Sequence, residues 1–152
     1  MSSVEMPHKD VPPPLELVKS RVEEVLPPVA RERIEGGDVV VIDTRDAKPF
    51  EQGHLAGAIS VPSGESAREA HTEEYAKAVE EAAGGRDRSV VVYCGEGNRS
   101  ARTADTLSNE HGFQNVVSVV GGVKLWHDLG YPIDGELAAG ADEDEVAVGG
   151  EG

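Results

Sequence analysis

One cysteine, Cys94, ends the apolar run Val90-Val91-Val92-Tyr93 and is followed by Gly95-Glu96-Gly97-Asn98-Arg99-Ser100. A thiol in that company can act as a nucleophile. Gly95 and Gly97 let a loop curl through unusual dihedrals with its N–H groups pointing inward. A helix beginning near Arg99 or Ser100 adds positive potential at the same place. Such a cradle favours a negative atom, so the Cys94 thiolate is expected to be more accessible at neutral pH than that of a free thiol, whose pKa is about 8.5. Arg99 supplies a fixed positive charge near the mouth, and the Ser100 hydroxyl can bond an anion or cap the helix. A lone cysteine after a valine strand is also a common small core residue, and glycine turns arise for steric reasons alone. An inert thiol does not account for an arginine five positions on, so the residues favour a reactive one.

The elements around the loop read as follows. Val39-Val40-Val41-Ile42, Ala58-Ile59-Ser60-Val61, Val90 to Tyr93 and Val116 to Val120 are short apolar runs suited to strands of a parallel sheet. Leu15 to Leu26 is compatible with a helix or a short strand. Pro27-Pro28 breaks it, and Val29 to Glu35 reads as a short helix stopped by Gly36-Gly37. Glu65 to Ala83 carries helix formers without an internal Pro or Gly, so one helix ended by Gly84-Gly85 is expected. Ser100 to His111 reads as a helix stopped by Gly112, and Gly121-Gly122 leads into a last short helix through Leu125, Trp126 and Leu129. Strands alternating with helices predict an α/β domain with a mostly parallel sheet over residues 15–134, placing Cys94 at a strand's carboxyl end, where ligands bind in such sheets. Residues 1–14, ending Pro12-Pro13-Pro14, read as a flexible lead-in, and residues 135–152, with Asp142-Glu143-Asp144-Glu145, as a disordered acidic tail.

Composition narrows the classes. A chain of 152 residues suits one domain, and with 4% aromatics its core is expected to be aliphatic. The net charge of -15 opposes nonspecific nucleic-acid binding and would suit a high-salt setting, where self-repulsion is screened. No run approaches the ~20 apolar residues of a membrane span, and the polar opening Met1 to Glu5 makes the cytoplasm the default location. A single cysteine excludes an intramolecular disulfide and any Cys-x-x-Cys motif. His8, His71, His111 and His127 show no ligand spacing, so no metal site is expected, and His54 in its Gly-His-Leu turn reads as a hydrogen-bonded structural residue. Trp126 reads as core. Gly121-Gly122 fits neither the P-loop nor the dinucleotide fingerprint.

The segment Cys94 to Ser100 resembles the Cys-x-x-Gly-x-Arg-Ser active-site loop of rhodanese-type sulfurtransferases. Val41-Ile42-Asp43-Thr44-Arg45 is similar to the family's strand-end Asp-x-Arg, Phe50 to Ala58 to its Gly-His-x-x-Gly-Ala segment, and Gly121 to Trp126 to its Gly-Gly-x-x-x-Trp. The four segments occur in the family's order and span about Val22 to Ile133. The resemblance implies a single rhodanese-like α/β domain, with a central, mostly parallel five-strand sheet flanked by helices. It implies a Cys94 nucleophile that takes sulfur from thiosulfate or a persulfide and passes it to cyanide or a thiol, with no cofactor. Either small molecules or a protein can fill the donor and acceptor roles. Gly95, Glu96, Gly97, Asn98, Arg99 and Ser100 would bind the substrate, and Asp43 and Arg45 would brace the site, with a structural salt bridge to Glu51.

Two other classes stay open. Related phosphatases and arsenate reductases use Cys-x5-Arg, whereas four residues separate Cys94 from Arg99; the resemblance implies that this shorter loop fits sulfur better than a phosphoryl group. Rhodanese-like domains also serve as non-catalytic binding modules, although Cys94, Arg99 and both glycines argue against an inert version. Glu96 departs from many relatives, which carry neutral or basic side chains there. Its charge would disfavour thiosulfate and favour a protein persulfide or an uncharged donor.

Overall fold

Short valine-rich runs separated by glycine and proline make short strands. The computed structural model describes residues 12–135, so the lead-in before residue 12 and the acidic tail beyond residue 135 lie outside the described residues. In chain order the elements are α1 (Leu15–Arg21), β1 (Glu23–Val25), α2 (Pro27–Gly36), β2 (Val39–Asp43), α3 (Ala47–Gln52), β3 (Gly53–Leu55), β4 (Ile59–Ser60), a 3₁₀ segment (Glu65–His71), α4 (Glu73–Ala83), β5 (Ser89–Tyr93), α5 (Asn98–Glu110), β6 (Asn115–Val119), α6 (Gly122–Asp128) and β7 (Ile133–Gly135). Five strands form one sheet in the order β1-β6-β5-β2-β4, and every pairing is parallel. β3 and β7 form a separate antiparallel pair.

Strand alternation divides the apolar side chains between two faces. Val90, Val92 and Ile42 pack with Ala76 and Val79 of α4 and Ala104 and Leu107 of α5. Val91, Tyr93, Val41, Val117 and Val119 pack with Ala30 of α2, Leu55 of β3, and Val123 and Trp126 of α6. Burying one such aliphatic side chain contributes about 1.5–3 kcal/mol, and aliphatic residues make up most of both clusters, joined by Tyr75 and Phe113 on one face and Tyr93 and Trp126 on the other.

Topology then places the site. From β2 the chain moves outward to β4, and from β5 it moves the opposite way to β6. Crossovers of one hand running in opposite directions put their connections on opposite faces. The loops after β2 and β5 therefore part beside each other at the carboxyl edge, which leaves the crevice where ligands bind in such sheets. Cys94 follows β5, and Thr44-Arg45-Asp46 follows β2.

Three expectations change. Leu15 to Leu26 is helix and strand in succession, α1 and then β1, because Val22 turns extended at the end of α1. Glu65 to Ala83 is not one helix. Ser66 and Ala67 have φ of 54° and 60°, and α4 starts afresh where the Thr72 hydroxyl accepts the Tyr75 N–H at 3.1 Å. Threonine at an N-cap with Glu73 and Glu74 in the first turn is a start signal that the run of helix formers hides. Gly135, placed in the tail, pairs with Gly53 at the end of β7. Among the described residues no helix is long and apolar enough to cross a membrane.

Candidate active site

The Cys94 loop closes on its own sulfur. β5 ends at Tyr93 and α5 begins at Asn98, so the four residues Cys94 to Gly97 turn the chain. Gly97 makes that turn at φ 102°, where a side chain would be strained and its Cβ would meet the Gly121 backbone nitrogen at 3.0 Å. In this geometry the Gly97 N–H donates to Cys94 Sγ at 3.1 Å and the Ser100 N–H at 3.3 Å. Both donors belong to the start of α5, so bond and helix dipole act on the sulfur together. The Ser100 hydroxyl lies 3.4 Å from Sγ and 2.8 Å from the Ser118 hydroxyl of β6. Cys94, Gly97, Arg99 and Ser100 are buried, whereas Glu96 and Asn98 are exposed on the outer side of the turn.

A second chain segment locks the loop from below. Val123 N–H donates to the Cys94 carbonyl at 2.8 Å and Lys124 N–H to the Gly95 carbonyl at 3.0 Å, so the start of α6 caps the loop's carbonyls. This approach requires glycine at 122, because a Cβ there would lie 2.4 Å from the Cys94 carbonyl oxygen. Gly121-Gly122 is thus a seat for the cysteine loop.

Asp43 and Arg45 sit beside it as a buried pair. Arg45 Nη2 donates to Asp43 Oδ2 at 2.7 Å and to the Gly53 carbonyl at 2.6 Å, and its Nε donates to both Asp43 oxygens. Burial works against the Arg45 charge, but the bonds and charge of Asp43 outweigh it and hold the guanidinium's pKa above its ordinary value. Burial also pushes the neighbouring Tyr93 phenol well up, with the Asp43 charge adding to it. Its oxygen accepts the Leu55 N–H at 3.1 Å, which ties β3 to β5. The pair braces the turn between β2 and β3. Its partner differs from expectation: Arg45 spends its donors on Asp43 and the Gly53 carbonyl, and Glu51 forms no ion pair among the described residues.

Arg99 reaches across to the β2 loop, where its Nη1 contacts the Thr44 carbonyl at 3.3 Å and Asp46 Oδ1 at 3.4 Å. Thr44 in turn bonds the Tyr93 carbonyl through its N–H and its hydroxyl, joining the two loops next to Cys94. Thr44, Asp46 and Ser118 were missed in the sequence. A lone serine in the valine run of β6 is the available signal for Ser118, since a buried hydroxyl needs a partner. His54 stacks on Phe50 at 4.0 Å and bonds its carbonyl, the structural role expected. Trp126 is buried, with its indole N–H on the Pro132 carbonyl. His71 pairs with Glu110 and His111 with the Ala70 carbonyl, both away from the cysteine; among the described residues no three His, Cys, Asp or Glu side chains are grouped to hold a metal.

Chemically, the arrangement is a sulfur atom held by two N–H donors at a helix start, with a cation alongside. Known proteins resemble the chain in sequence and fold over most of the described residues. Thiosulfate sulfurtransferase GlpE of Pseudomonas aeruginosa is 32% identical over 112 residues, covering 74% of this chain and 89% of that protein. A tRNA uridine(34) hydroxylase of Pectobacterium carotovorum is 36% identical over 86 residues, 57% of this chain, but the match spans only 22% of that longer protein. Among solved structures, a Rhodopseudomonas palustris protein of unknown function, described as a possible tyrosine phosphatase, superposes with a TM-score of 0.63 at 30% identity, covering 79% of this chain and 90% of that one. A thiosulfate sulfurtransferase from Pseudomonas aeruginosa shares the fold, with a TM-score of 0.67 at 21% identity over 80% of this chain and 22% of that one. Residues 26–129, from the end of β1 to the end of α6, match the Rhodanese-like domain, and with them the chain belongs to that family.

Proposed function

We propose that the protein is a sulfurtransferase that carries sulfane sulfur as a persulfide on Cys94. The observation that supports this most is the pair of N–H groups, from Gly97 and Ser100, directed at one sulfur atom. In the first step the Cys94 thiolate attacks the outer sulfur of thiosulfate. A bond forms between Sγ and that sulfur, the donor's S–S bond breaks, and sulfite leaves with the electron pair. A persulfide donor reacts in the same way and releases its thiolate. In the second step cyanide or an acceptor thiolate attacks the outer sulfur of the Cys94 persulfide. The S–S bond at Cys94 breaks, and its electron pair returns to Sγ. Splitting one transfer in two is nucleophilic catalysis, and it gives ping-pong kinetics. Gly97 and Ser100 N–H groups stabilise the negative sulfur at the beginning and end of the cycle.

The relatives named as thiosulfate sulfurtransferases support this reading at the level of reaction type. Initial rates with thiosulfate and cyanide test it. Parallel double-reciprocal lines, absent in Cys94→Ser, are expected. Hydrolysis of an aryl phosphate without thiocyanate formation, lost in Cys94→Ser, would replace it with phosphatase chemistry.

A further inference from the structure

Arg99 is poorly satisfied for a buried cation. Its side chain is only 8% exposed, yet both of its bonds leave the same nitrogen and both are long, at 3.3 and 3.4 Å. Its Nε is buried without a partner among the described residues. A guanidinium has five N–H donors, and charge-assisted bonds to carboxylates run to about 2.7–2.9 Å. Arg45, in the adjacent loop, meets that standard at 2.7 Å from Asp43. Arg99 therefore holds unused capacity for an anion at the edge of the candidate site.

Among the described residues its only carboxylate is Asp46, and three features make that contact exchangeable. The Asp46 side chain is 71% exposed, so water competes for it. The distance of 3.4 Å is too long for a strong ion pair. Asp46 is also the N-cap residue of α3 yet makes no capping bond with its side chain, so the helix offers the carboxylate an alternative partner. A carboxylate that can leave at little cost sits on the cation that an anionic donor would seek.

We propose that Asp46 is a displaceable counter-ion of Arg99 that selects the sulfur donor by charge. An anionic donor such as thiosulfate competes with Asp46 for Arg99, whereas an uncharged donor does not. Asp46 is a specificity-determining residue here and takes no part in bond making. The identity of the donor rests on the sulfurtransferase reading; selection by charge at Cys94 does not.

The test separates the two. Cys94 in the full chain is alkylated with iodoacetate and, in parallel, with neutral iodoacetamide, and the rates are followed by intact mass. Asp46→Asn keeps a good helix cap and removes the charge. It should raise the iodoacetate-to-iodoacetamide rate ratio by about two- to fivefold, the scale of a partly exposed ion pair, and lower the KM for thiosulfate by a similar factor with kcat unchanged. In an Arg99→Gln background the same substitution should leave the ratio where it was. A ratio unchanged by Asp46→Asn overturns the proposal even if the protein transfers sulfur. A raised ratio without any Cys94 persulfide from either thiosulfate or a persulfide donor keeps charge selection and removes the sulfurtransferase reading. No alkylation of Cys94 by either reagent in any variant overturns both.

Discussion

Gly122→Ala is the most demanding test of how the cysteine loop is held. Gly122 has φ of 58°, and an added Cβ would lie 2.4 Å from the Cys94 oxygen and 2.5 Å from the Gly95 oxygen, well inside the 3.0 Å that real Cβ atoms respect. Both obstacles are backbone, so no side-chain rotation relieves them. The start of α6 must withdraw, and the bonds from Val123 to Cys94 and from Lys124 to Gly95 go with it. The left-handed conformation costs alanine about 1–2 kcal/mol, and two lost hydrogen bonds cost about 1 kcal/mol each, so the loss is roughly 3–4 kcal/mol. Gly112→Ala is the matched control: its φ is 74°, but among the described residues nothing lies within 4 Å of an added Cβ, so only the backbone strain applies. Urea unfolding separates the two. With a slope of about 2 kcal/mol/M, Gly122→Ala should unfold about 1 M earlier than Gly112→Ala. Cys94 alkylation should change in Gly122→Ala and stay at the parent rate in Gly112→Ala. Equal midpoints for the two variants would refute the seat that Gly122 provides.

Other substitutions probe the rest of the frame. Asp43→Asn strands the buried Arg45 guanidinium without its counter-charge and should cost about 3–5 kcal/mol in urea unfolding; a loss under about 1 kcal/mol, as at an exposed pair, would contradict the bracing role. Burial raises the Tyr75 and Tyr93 phenols above their ordinary pKa, so the folded state keeps those protons longer than the unfolded chain does. That contribution is intact below about pH 10 and lost as pH rises beyond it. Unfolding midpoints across that range should therefore fall, and Tyr75→Phe, which gives up the 2.6 Å bond to the Val61 carbonyl, should start lower but fall less steeply. An identical slope in that variant would remove Tyr75 from the alkaline transition.

What the sequence could reveal followed from how local each signal is. Val90 to Tyr93, then Cys94 and two glycines, specify a buried strand and a tight turn within twelve residues, and the loop appears where that pattern puts it. Asp43 and Arg45 stand at a strand end, again a local signal, and they do pair beside the site. Their connection to the Gly53 carbonyl instead of Glu51 depends on how α3 turns back into β3, which residue types alone do not specify. Ser118 reaches Ser100, and Asp46 reaches Arg99, only through the strand order and the β2 loop, so their roles needed the tertiary structure. Leu15 to Leu26 stayed open between helix and strand, and Glu65 to Ala83 misled, for a different reason. Average propensity over a window cannot see a change of element inside it, at Val22 in one and at Ser66-Ala67 in the other.

The measurement that bears most directly on the central claim is the intact mass of reduced protein before and after thiosulfate, with Cys94→Ser beside it. The account predicts a gain of one sulfur atom on the parent, none on Cys94→Ser, and its removal by cyanide. A parent whose mass does not change while Cys94 is still alkylated by iodoacetamide would contradict thiosulfate as donor. If persulfide donors also added no sulfur, the Cys94 persulfide itself would be refuted.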